Sequence, residues 1–202
     1  DLVYFLSPTS LAQNLEKLNY ITTHWDMCHR DDPEFPEVRW NRELEHRDEN
    51  CNKILPRATA ILVDSKISKM NISHRYGVDL ERIHILPFQA AEATRVQTEP
   101  STRQKFNIHE KFKVDRYVFY PAQFWPHKNH IYLLEGLSIL EQRYGLKISA
   151  IFSGSDKGNK KYIENHAKKL KIEDRIHFVG FVKNEEMVDL YQQSIALVMP
   201  SY

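Results

Sequence analysis

Cysteine is nearly absent from this sequence: only Cys28 and Cys51 occur among 202 residues, which excludes a disulfide framework and makes the reducing cytosol the expected setting. Charge of one sign is missing too. Lys+Arg number 28 against Asp+Glu 27, and a formal net charge of +1 lacks the basic footprint of a nucleic-acid binder. No stretch approaches ~18 consecutive apolar residues, so no spanning helix is expected. The opening DLVYFLSPTS has no basic region of the kind that begins a signal peptide. Glycine is sparse, and the loop SGSDKGN (153–159) completes no phosphate-binding motif; it reads as an ordinary turn. What is present forms a core. Hydrophobic residues make up 42%, and a chain of this length buries roughly 70% of its unfolded surface in one sizeable core or two smaller ones.

The hydrophobic pattern alternates between strands and helices, which argues for α/β architecture with parallel sheets and helices on both faces. In the first half, DLVYFL (1–6) reads as a buried strand, followed by a helix over 10–18, a strand at 19–23 and a polar loop at 24–36. A helix over 37–55, a strand at 58–65, a helix over 66–76 stopped by Gly77 and a strand at 82–88 complete it. Residues 89–115 lose all periodicity and read as a structureless connection between two domains, 1–88 and 116–202. The second half opens with the strand RYVFYPAQ (116–123). It continues as helix 129–144 stopped by Gly145, strand 146–154, helix 160–170, strand 175–182, helix 185–194 and strand 195–200.

In open α/β sheets each strand-to-helix loop is a candidate site, and YPAQFWPHKNH (120–130) is the most informative of them. A lysine at a helix start is unfavourable on dipole grounds, because the helix N-terminus already carries partial positive charge. Lys128, just ahead of Asn129, makes sense where a bound anion neutralises both, which describes a phosphate site. A solvated surface lysine is the other reading.

From PAQFWPHKN (121–129), FSG (152–154), DRIHFVGFV (174–182), EEMVDLYQQS (185–194) and ALVMPS (196–201), the segment from Tyr117 to Tyr202 resembles the donor-binding domain of retaining glycosyltransferases of family 4. TTHWDMCH (22–29), AILVDS (60–65) and YGVDLERIHILPF (76–88) look like the end of the N-terminal domain of such an enzyme. The resemblance implies the GT-B fold: two Rossmann-like parallel-sheet domains, both incomplete in this chain. It implies transfer of a hexose or deoxyhexose, with retention, from a nucleotide-diphosphate sugar to a saccharide or lipid-linked acceptor. No metal or other cofactor is expected, and no nucleic-acid partner. The family setting is cytoplasmic, with room for peripheral membrane association of the parent through the part preceding this sequence. Lys128 is the implied catalytic group, stabilising diphosphate charge. Gln123, His127, Asn129 and Gly154 are implied donor-binding residues, and Phe181 and Val182 are expected to offer backbone contacts beside the base. The family usually carries an arginine five residues before its loop lysine, where this chain has Gln123.

On the acceptor side the family has a His–Asp pair. Here Asp26 matches, Trp25 occupies the usual histidine position, and His24 and His29 flank it. His24, Asp26, Cys28 and His29 are all potential metal ligands, but their spacing matches no zinc pattern. The family's Glu-containing segment would follow Tyr202, so the chain is expected to be the middle of a larger protein and inactive by itself. Two rivals remain open: a non-catalytic nucleotide-binding or interaction module, and a nucleotide-sugar epimerase on the same fold.

Overall fold

The computed structural model describes residues 1–89 and 106–202, and each of these two stretches forms its own compact unit. In the first, strands β1 (Leu2–Phe5), β2 (Asn19–His24), β3 (Ala60–Val63) and β4 (Ile83–Ile85) form a parallel sheet in chain order. Helices α1 (Cys28–Asp31), α2 (Pro36–Arg39), α3 (Glu43–Ile54) and α4 (Lys66–Tyr76) lie between them in sequence. The strand period of two places Tyr20, Thr22, His24, Ile61, Val63 and Ile83 on one buried face. Cys51 and Ile54 of α3 and Ile72 and Tyr76 of α4 join the same core. Of the intervening residues Ile21, Thr23 and Leu62 are partly exposed and His84 is exposed. Helices on both faces were expected; among the described residues the fully buried positions of this sheet lie on one face, and the other is partly exposed.

Three further readings change here. β1 is an edge strand, with Leu2 58% and Tyr4 47% exposed, so DLVYFL is not the buried strand its apolar run suggests. The helix expected over 37–55 is broken, because Asn41 and Arg42 take left-handed backbone angles (φ 51° and 58°) ahead of α3. One helical turn, α1, interrupts the loop expected at 24–36. The stop at Gly77 is where it was expected, at φ 64° closing α4.

The second unit is helix-covered on both sides. Strands β5 (Tyr117–Pro121), β6 (Ser149–Ser153), β7 (Ile176–Gly180) and β8 (Ala196–Leu197) form a parallel sheet ordered β7-β6-β5-β8. β5 is central and buried on both faces. Val118 and Tyr120 pack with Leu133, Leu134 and Leu137 of α6 (His130–Tyr144) and Ile163 of α7 (Lys160–Lys169). Tyr117 and Phe119 point the other way, toward Leu190 of α8 (Asn184–Gln193) and Ile108 of α5 (Ile108–Phe112). Residues 90–105 of the expected connection lie outside the described residues. Residues 106–115 do not behave as a structureless connection: Ile108 and Val114 are in this core, and the Phe106 amide donates to Asp189 at 2.9 Å. No helix among the described residues is long and apolar enough to cross a membrane.

Candidate functional site

Ligands of open parallel sheets gather beyond the carboxyl ends of the strands, and in the second unit those ends are stitched together by backbone contacts. The Gly154 amide donates to the Gly180 carbonyl at 2.9 Å, and the Ser153 hydroxyl donates to the same oxygen at 3.0 Å. A Cβ on Gly154 would sit 2.3 Å from the Ala122 carbonyl oxygen, so only glycine lets the β5 and β6 loops approach this closely. Next along, the Phe124 amide donates to the Ser155 carbonyl at 3.1 Å. Asp156 is occupied with the amides of Gly158 and Lys160, at 2.8 and 3.2 Å, at the start of α7.

The β5–α6 loop presents positive charge. Residues Pro126–Lys128 make a 3-10 turn, and Asn129, at φ 50° and ψ 42°, turns the chain into α6. Asparagine is one of the few side chains that tolerate this left-handed region. Among the described residues no side chain caps α6, and no acidic residue lies in its first turn, so the partial positive charge of this 15-residue helix is left unopposed by them. Lys128 adds a full charge beside it, and among the described residues its ammonium has no partner. An uncapped helix start beside an unpaired ammonium binds anions. The Asn129 amide is not part of this: it donates to Pro126 at 3.0 Å, closing the turn. The Gln123 side-chain carbonyl accepts from the Trp125 indole at 2.8 Å, and the Lys157 ammonium lies 5.5 Å from that ring's centroid.

Beneath the loop, His130 is 1% exposed, with its ring 4.6 Å from Tyr120, 5.1 Å from Phe124 and 5.1 Å from Phe152. Burial, and then the charge of Lys128, push its pKa from 6.5 down to about 4, so the imidazole is neutral at pH 7.

In the first unit the expected acceptor-side residues divide into two groups. Asp26 accepts from the Arg47 guanidinium at 2.7 Å and the Cys28 amide at 3.0 Å. Burial acts to raise its pKa, but the hydrogen bonds from Cys28 and Arg47 win and hold it at about 2. Burial and the neighbouring Asp26 push the Cys28 thiol up to about 11, so no thiolate is present at neutral pH. His29 lies 3.1 Å from the Tyr76 hydroxyl, which donates to Asp48 at 2.9 Å. With the phenolic proton committed to Asp48, His29 donates to Tyr76 from Nε2. Asp48 in turn takes both arms of Arg30 at 2.7 Å. This chain holds α1, α3 and α4 together. Tyr76→Phe should therefore destabilise the protein by about 1–3 kcal/mol, because His29 is left with an unmatched buried donor; a urea unfolding curve with a lower midpoint and unchanged slope is the expected result. His24 and His29 are 2% and 0% exposed, and Trp25 beside them is 48% exposed. Among the described residues no three His, Cys, Asp or Glu side chains gather as a metal cluster would require.

The family profile of the glycosyl transferases group 1 matches residues 101–202, half of the chain. The chain belongs to that family. No curated protein sequence matches it. Among solved structures, Anabaena Alr3699/HepE in complex with UDP and glucose superposes with a TM-score of 0.69 at 18% identity, over 100% of this chain and 52% of that one. A glycosyltransferase from Rickettsia africae gives 0.62 at 15% identity, over 100% and 51%. WaaG, a glycosyltransferase involved in lipopolysaccharide biosynthesis, gives 0.64 at 15%, over 100% and 53%. The fold of this group 1 chain is thus that of the GT-B glycosyltransferases, and it spans about half the length of these structures.

Of the residues singled out from sequence, Gln123, His127, Lys128, Asn129 and Gly154 stand on two touching loops of the group 1 chain. Phe181 follows Gly180 and is 95% exposed, whereas the Val182 side chain is in the core and offers only its backbone. Phe181 also lines an open cleft of about 380 Å³ along β7, with Lys111, Phe112, His177 and Glu186. Sequence reasoning missed Tyr120, Ser201, Arg47 and Tyr76. For Tyr120 there was a signal, since a tyrosine inside a buried strand needs a partner for its hydroxyl.

Proposed function

We propose that the parent of this chain transfers a hexose or deoxyhexose from a nucleotide-diphosphate sugar to a saccharide or lipid-linked acceptor, with retention of configuration. The observation that carries this reading is the Lys128 ammonium, unpaired among the described residues, beside the uncapped start of α6 at the carboxyl end of a central parallel strand. Family membership supports it, as does a structural neighbour crystallised with UDP and glucose. In the proposed reaction the acceptor attacks from the face the diphosphate leaves, and the departing phosphate oxygen takes the acceptor's proton. The protein then has one main electrostatic task, to stabilise charge growing on the diphosphate. Lys128 and the first-turn amides of α6 perform it. With that charge supplied by the chain itself, the reaction needs no metal. The Gly154 contact keeps the β6 loop tight against the β5 loop, leaving backbone rather than side chain beside the phosphates.

Lys128→Ala should weaken UDP binding by about 1.5–3 kcal/mol, the range for a hydrogen bond to a charged group, while uridine binding changes little. Calorimetric titration of the chain with both ligands is the test. Equal losses for UDP and uridine would remove Lys128 from the phosphate site.

A further inference from the structure

Lysine reaches its target through four flexible bonds, so its usefulness depends on where its backbone is held. In the β5–α6 loop that backbone is held by a residue buried in the sheet. Tyr120, 0% exposed at the end of β5, donates its hydroxyl proton to the Lys128 carbonyl at 2.8 Å. Its oxygen also lies 3.2 Å from the Ser201 hydroxyl. The phenol has one proton and a carbonyl can only accept, so Ser201 is the donor in that second bond. The next residue adds a third tie: the Tyr202 amide donates to the His127 carbonyl at 3.0 Å. The phenol ring itself is packed against His130 at 4.6 Å and edge-on to Phe152 at 6.4 Å.

We propose that Tyr120 is the positioning residue for Lys128, and that through Ser201 it joins the lysine loop to the segment following β8 so that the two keep one geometry. Three stretches of chain meet at this hydroxyl: the end of a central strand, the turn that carries the ammonium, and Ser201, while the Tyr202 amide ties to the same turn one residue earlier. By holding the Lys128 carbonyl, Tyr120 restrains the peptide plane, and so the backbone angle at the Cα from which the lysine side chain departs. A displacement of Ser201 is passed to the same carbonyl through one shared oxygen atom, and one of Tyr202 to the neighbouring His127 carbonyl. The proposal rests on Lys128 being a phosphate ligand.

The test is a double-mutant cycle in the 202-residue chain, with UDP as ligand and uridine as control. Tyr120→Phe keeps the ring and removes only the hydroxyl. It should weaken UDP binding about three- to tenfold and leave uridine binding unchanged. In a Lys128→Ala background the same substitution should have no effect on UDP, because there is no ammonium left to position. Equal losses in both backgrounds would show a merely structural role and overturn the proposal, as would unchanged UDP affinity in a folded Tyr120→Phe protein. Ser201→Ala leaves the tyrosine in place and covers the case in which Tyr120→Phe does not fold. It should give a smaller loss, about two- to threefold, that also vanishes without Lys128; persistence of the loss, or no loss at all, overturns the proposal. A Lys128→Ala chain that binds UDP as tightly as the unaltered one overturns the phosphate-site reading first and the positioning role with it.

Discussion

Lowering the pH from 6.5 to 4 should cost the first unit up to about 6 kcal/mol of stability through His24 and His29, and the second up to about 3 through His130. His24 and His29 in the first, and His130 in the second, are almost wholly buried, with pKa values pushed from 6.5 to about 4. Burial is the main cause in all three, and the nearby Arg47 or Lys128 adds to it. Each histidine therefore binds its proton more weakly in the folded chain than in the unfolded one. As pH falls below 6.5 the unfolded chain takes up the extra protons, and unfolding becomes easier until about pH 4, where the folded form protonates as well. At about 1.4 kcal/mol per unit of difference, each histidine contributes up to ~3 kcal/mol. Asp26, held at about 2, takes over below the ordinary carboxylate range: its ion pair with Arg47 is present above pH 3.8 and lost as pH falls through about 2. Urea unfolding at pH 7, 5 and 4, with the imidazole resonances followed by NMR, measures both quantities. Stability unchanged between pH 7 and pH 4, or histidines titrating near 6.5 in the folded chain, would contradict the burial described here.

Gly154→Ala should destabilise the second unit by about 3 kcal/mol or more and abolish UDP binding under conditions where the unaltered chain binds. The added methyl would lie 2.3 Å from the Ala122 carbonyl oxygen, 2.6 Å from its carbon and 2.9 Å from the Gln123 nitrogen. All three are backbone atoms, so relief requires moving a loop rather than turning a side chain. The two loops also share the hydrogen bond from Phe124 to Ser155, so separating them disturbs the 122–129 segment as a whole. The same change at Gly145 meets nothing within 4 Å and there costs only the left-handed backbone, about 1 kcal/mol. Gly145→Ala is accordingly the control. A Gly154→Ala chain as stable as Gly145→Ala, with UDP affinity intact, would mean that the close loop approach is not needed.

The alternation of strand and helix was legible in the sequence because its causes are local. A run such as YVFYP extends, and two helices stop where glycine takes a left-handed residue without strain, at Gly77 and Gly145. Lys128 at a helix start was legible for the same reason, since the clash with the helix dipole spans one turn. Partners were not legible. His29 meets Tyr76 across 47 positions and Tyr120 meets Ser201 across 81, and no period in the chain links them. The break at Asn41 and Arg42, the exposed edge at β1 and the burial of Ile108 and Val114 were likewise decided in three dimensions. Periodicity and capping act over a few neighbouring residues, so they determine which segments become strands and helices. Which face is covered, which carbonyl takes a buried hydroxyl, and how close two loops come depend on which segments the fold packs together, and only the tertiary structure decides that.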